Sequence, residues 1–129
     1  MPYVRIETSH GWLEGRSEEL FDAIDRALVA VLGVPPNDSL LRLQSHAERM
    51  IRLPQGCDPR FVLLEVSLFA GRTLATKRAL YRALTDAVAA LGVPADAVTV
   101  MLNEVVLENW GIRDGQVASG VSFDFAIGV

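Results

Sequence analysis

The chain has 129 residues, 50% hydrophobic and 22% charged, with a formal net charge of −4. That length suits a single domain with a buried core, and that composition excludes a disordered chain. The acidic balance without a basic run gives nucleic acid no footprint, and no apolar run approaches the roughly 18 residues of a membrane span.

The chain opens Met-Pro-Tyr-Val-Arg-Ile-Glu, and Tyr3 to Glu7 reads as a strand. Pro2 is tolerated at a strand start because its missing N–H breaks no ladder. Removal of Met1 ahead of this small residue changes its chemistry, turning an imide nitrogen into a free secondary amine. An α-amino group titrates near about 7.7–8.0, within reach of general acid–base work. No charged segment precedes an apolar one at this end, so a cytoplasmic protein is expected.

Gly15-Arg16-Ser17 leads a helical stretch that ends at Gly33-Val34-Pro35, and Gly71-Arg72-Thr73 leads another that ends at Gly92-Val93-Pro94. The same unit is used twice, with three extra residues expected in the second helical stretch. Leu20, Ala23, Ile24, Ala27, Leu28, Val31 and Leu32 form the apolar stripe of the first helix, with Ser17 expected as N-cap and Gly33 at the left-handed exit. Leu80, Ala83, Leu84, Ala87, Val88 and Leu91 repeat it behind Thr73.

Strands are expected at Leu40 to Gln44, Arg60 to Phe69 and Val98 to Leu107. The expected fold is α+β: two consecutive β-α-β units form a four-stranded sheet with both helices on one face, plus a short C-terminal hairpin or strand. The division is one domain over 1–129, with repeats at about 2–45 and 60–107, a linker at about 50–59 and a tail at 108–129. In the tail Arg113-Asp114-Gly115 reads as a turn and Val121 to Val129 as a possible last strand. The uncovered sheet face calls for a partner, so oligomerisation is expected.

Arg72 stands where the third strand hands over to the second helix, an end whose dipole prefers anions. Its fork suits a substrate carboxylate, helped by the N–H groups of the helix start. Asp38 closes the Pro35-Pro36-Asn37-Asp38 turn, and its carboxylate is a candidate for orienting water or setting the charge of Pro2. Trp110, Ile112 and Phe123 either line a pocket or cap the core. Lys77, the only lysine, reads as a surface charge. His10 and His46 are isolated and Cys57 is the only cysteine, so no metal site is expected.

Taken together, Pro2, Leu13-Glu14-Gly15-Arg16-Ser17, Gly71-Arg72-Thr73, the run from Gly33 to Asp38 and Asn109-Trp110 resemble the tautomerase superfamily. The double-length chain is most similar to the malonate semialdehyde decarboxylase-like subgroup. The resemblance implies catalysis by Pro2 as an amino-terminal amine, Arg72 as carboxylate anchor and Asp38 as a carboxylate that activates water or tunes Pro2. It further implies a small oxo-acid substrate, no metal or organic cofactor, and a homotrimer. The subgroup carries a second arginine soon after the anchor, whereas here Thr73, Leu74, Ala75 and Thr76 follow. Keto–enol tautomerisation is therefore the first reading, with decarboxylation or hydration as an alternative. A ferredoxin-like binding module, in which Pro2 only punctuates a strand, is the rival from another class.

Overall fold

In the computed structural model, which describes residues 2–9 and 11–128, four long strands and two helices follow the expected order. They are β1 (Tyr3–Ser9), α1 (Ser17–Leu32), β2 (Leu40–His46), β3 (Val62–Phe69), α2 (Leu74–Ala89) and β4 (Val98–Val105). The expected loss of Met1 and the reading of His10 lie outside the described residues. Within each unit the strands are parallel, β1 with β2 and β3 with β4. The units join through an antiparallel β1–β3 pair, giving the order β2-β1-β3-β4. A parallel pair needs a long crossover, and the amphipathic helix of each unit supplies it.

Alternation along the strands decides which face is buried. Val4, Ile6 and Thr8 of β1 and Leu64, Val66 and Leu68 of β3 are buried against Leu20, Ile24 and Leu28 of α1 and Leu80, Leu84 and Val88 of α2. Both helices thus cover one face and pack on each other.

Two local expectations about the helices are corrected. Arg16, not Ser17, is the N-cap of α1, with no side-chain cap bond; Ser17 is the first helical residue. The backbone turn from Arg16 N–H to the Leu13 carbonyl, 2.8 Å, already fixes the entry. The three extra residues of the second unit do not lengthen its helix: α1 and α2 each have 16 residues, and the excess lies in the approach to Leu74 and the turn after Ala89. Thr73 does cap α2, accepting the Thr76 N–H at 3.2 Å, and Gly33 takes the left-handed exit of α1 at φ 70°.

β4 ends at Val105 because Leu107–Asn109 turns into a short 3-10 helix. Beyond it a small hairpin forms, β5 (Gly111–Ile112) with β6 (Gln116–Val117), about a left-handed turn at Arg113, Asp114 and Gly115. The tail makes no last strand among the described residues. Its Val121, Phe123, Phe125 and Ile127 instead pack with Phe69, Trp110, Ile112 and Ala118 in a second apolar cluster.

Among the described residues, the face away from the helices is covered at its two ends. Tyr3 packs into the second cluster at one end, while Glu7, Leu63 and Thr99 share a cavity with Ile51, Leu53 and Pro54 of the connection between units at the other. Between them the register sets Arg42, Arg5, Glu65 and Met101 in one row across the sheet.

Candidate active site

The antiparallel join explains how the two units meet. It sets Tyr3 of β1 opposite Ser67 of β3, so the start of the first strand lies beside the end of the third. Pro2 is buried there, and its carbonyl accepts the Leu40 N–H at 3.1 Å. Past Phe69, Ala70 donates to the Val105 carbonyl at 2.9 Å and Gly71 turns the chain at φ 127°. A side chain at Gly71 would be strained by that φ, and its Cβ would lie 3.2 Å from Ile127 Cγ2.

This turn drops Arg72 inward. It is 6% exposed, and its Nη1 donates to the Phe69 carbonyl at 3.0 Å. Its Nε is buried without a hydrogen-bond partner. The guanidinium carbon lies 5.9 Å from the centre of the Phe125 ring. Pro2, Arg72, Leu32, Leu68, Phe69 and Phe125 line one narrow cavity, nowhere wide enough for water. An unpaired cationic N–H in an apolar enclosure is costly on its own and suits an anion that can accept from it.

Burial pushes the Arg72 guanidinium below its ordinary pKa, opposed by the charge of Glu104. Glu104, near the end of β4, is held below the usual carboxylate range chiefly by its hydrogen bond from Lys77, with smaller contributions from the Gly71 N–H and the charge of Arg72. Lys77, expected as a surface charge, pairs with Glu104 at 2.5 Å, a contact visible in no motif.

The other candidates fall around this cavity. Asp38 is exposed in its turn, its N–H reaching the Pro35 carbonyl at 3.3 Å, two residues before the Leu40 N–H bound to Pro2. Trp110, Ile112 and Phe123 belong to the second apolar cluster and do not line the cavity. Trp110 and Phe123 pack on Phe69, which does, at ring distances of 5.0 and 4.9 Å. Sequence reasoning missed Leu32, Leu68, Phe69, Phe125 and Glu104; only the alternation of Phe123 and Phe125 hinted at an inward-facing tail.

Arg16, the repeat-mate of Arg72, is spent elsewhere, donating to Glu19 and to the Leu91 carbonyl at 2.9 Å. His46 lies beside Glu7, 3.5 Å away, at a separate cavity lined by Ser9, Glu48, Ile51, Leu53 and Pro59. Among the described residues no three His, Cys, Asp or Glu side chains are grouped to hold a metal, and no helix is long and apolar enough to cross a membrane.

The duplicated β-α-β sheet defines a class of protein, and known proteins share it. A family model described as tautomerase enzyme matches residues 39–113. A probable tautomerase of Ralstonia nicotianae is 45% identical over 51 residues, 39% of this chain and 73% of the relative. Among solved structures, a fused 4-OT described as a symmetric trimer superimposes with a TM-score of 0.82 at 28% identity, covering 91% of this chain and 96% of its own. A malonate semialdehyde decarboxylase gives 0.78 at 27% identity, covering 88% and 92%. The chain belongs to the tautomerase family, with decarboxylase-like relatives, and is an enzyme of that type.

Proposed function

We propose that the chain, as one domain, catalyses keto–enol tautomerisation of a small 2-oxo monocarboxylate, with the amine of Pro2, freed by loss of Met1, as proton carrier. The observation that supports it most is the shared cavity: Pro2 and a buried Arg72 with an unpaired Nε–H line one apolar enclosure. Arg72 binds the substrate carboxylate and polarises the adjacent oxygen. The Pro2 nitrogen takes the proton of the enol O–H and returns it to the neighbouring carbon, so the O–H bond is replaced by a C–H bond and the amine is regenerated.

Burial among Leu32, Leu68, Phe69 and Phe125 and a cation in the same cavity both disfavour a charged amine, which supports the base role. Among the described residues Arg72 is the only charged side chain lining the cavity, which favours one carboxylate over two. Asp38 is proposed as the carboxylate that tunes Pro2 from the adjoining turn, and unchanged turnover in Asp38→Asn would reduce it to a turn residue. Trp110, Ile112 and Phe123 are proposed to shape the substrate pocket by backing Phe69.

The chain is further proposed to work as a homotrimer in the cytoplasm, supported by its uncovered sheet row and by the trimeric fused 4-OT it resembles. Decarboxylation is the second reading, favoured by the fold of the decarboxylase relative but needing a protonated Pro2.

The test is ketonisation of 2-hydroxydienoate or phenylenolpyruvate by protein whose mass shows Met1 removed. Pro2→Ala is expected to lower the rate by about a hundredfold or more. Retained methionine, or equal rates in wild type and variant, overturns the reading. Activity on malonate semialdehyde alone selects the decarboxylase.

A further inference from the structure

Arg72 is buried and, among the described residues, makes no ion pair, although Glu104 is near enough for its charge to act on the guanidinium. A flexible carboxylate beside a buried cation with an unpaired N–H ordinarily closes on it. Here Glu104 is held by the Lys77 ammonium at 2.5 Å, and the N–H of Gly71, the residue before Arg72, adds to the stabilisation of its charge. Lys77 is fixed in the first turn of α2, its N–H bonded to the Thr73 carbonyl at 3.1 Å, and Glu104 is fixed on β4 opposite Leu68.

We propose that Lys77 is a positioning residue for Arg72: by holding Glu104 against the start of α2, it keeps that carboxylate from pairing with the guanidinium and leaves Arg72 Nε–H for the substrate. This rests on the reading of Arg72 as carboxylate anchor. The buried cation then keeps a counter-charge at arm's length, which steadies it without consuming the donors that substrate needs. In the absence of Lys77, Glu104 becomes an internal competitor of the substrate carboxylate.

The experiment compares wild type with Lys77→Met, Glu104→Gln and the double variant, in the ketonisation assay and by NMR of the Arg72 Nε–H signal, assigned by its loss in Arg72→Lys. Lys77→Met is expected to raise KM about tenfold with little change in kcat, and to shift the Arg72 signal as Glu104 engages it. Adding Glu104→Gln removes the competitor, so the double variant returns KM to within about twofold of wild type and restores the signal.

An unchanged KM and signal in Lys77→Met overturns the proposal. A raised KM that Glu104→Gln fails to rescue also overturns it, since Lys77 then acts only on the fold. If none of the proteins turns over any substrate offered, the proposed function fails, while the Arg72 signal alone still decides whether Lys77 restrains Glu104.

Discussion

Pro2 and Arg72 belong to different repeat units and meet because β1 and β3 run antiparallel, so the start of one strand adjoins the end of the other. Both were legible in the sequence for chemical reasons. Pro2 is a potential amine, and an arginine at a helix N-terminus runs against the dipole and needs another explanation. Glu104 and Phe125 were not legible, since their relevance depends on which strand end and which stretch of irregular tail come to rest on Arg72. Asp58 offers a pH test at the same scale. The side chain of Arg60, then its N–H, holds the Asp58 carboxyl down at about 2. A carboxyl lowered by folding contributes stability above its unfolded value, near about 3.9, and loses it as pH falls through the folded value. Carbon NMR of Asp58 is expected to give a midpoint near about 2, with Arg60→Ala moving it most of the way back toward about 3.9.

The elements were read from periodicity, and the two 16-residue helices show how much it carries. Their apolar stripes became the buried faces because a 3.6-residue repeat leaves little choice of which side meets the sheet. The cap of α1 was misread because Ser17 is a good cap by type, whereas the local turn from Leu13 brings in Arg16 first. The structure therefore separates two similar positions. Thr73→Ala is expected to cost about 1 kcal/mol in denaturant unfolding, and Ser17→Ala no more than about 0.5 kcal/mol. The tail differs for another reason: its alternation is genuine, but its apolar residues pack into an aromatic cluster and the segment pairs with no strand among the described residues. Among the described residues, the backbone of 122–128 makes no bond to other backbone groups. Its amides are expected to exchange with solvent far faster than those of β1 and β3, and uniform protection across the tail in a hydrogen-exchange experiment would contradict that.

At the scale of the whole molecule, the row of Arg42, Arg5, Glu65 and Met101 lies between two covered ends of the sheet, with Met101 50% exposed. The two arginines stand at one end of the row, Glu65 lies beside them and the apolar Met101 closes the other end, so the row is asymmetric in charge. Such a row fits a copy rotated in a head-to-tail ring better than a face-to-face dimer. Light scattering is expected to give about 42 kDa, three times the 14.1 kDa chain, and Met101→Glu is expected to reduce it. A trimer that tolerates Met101→Glu places the contact elsewhere.

The connection of residues 47–61 that joins the two units carries a further consequence. A strand that follows a linker has no chain start, so β3 can never present an amine, however closely its unit copies the first. Under the proposed chemistry, fusion forces a division of labour. The first unit donates the base and its Arg16 retires to Glu19 and Leu91, while the second unit donates the anchor. Two copies of one motif thereby become unlike halves of a single catalyst, each free to change in ways that its twin could not survive.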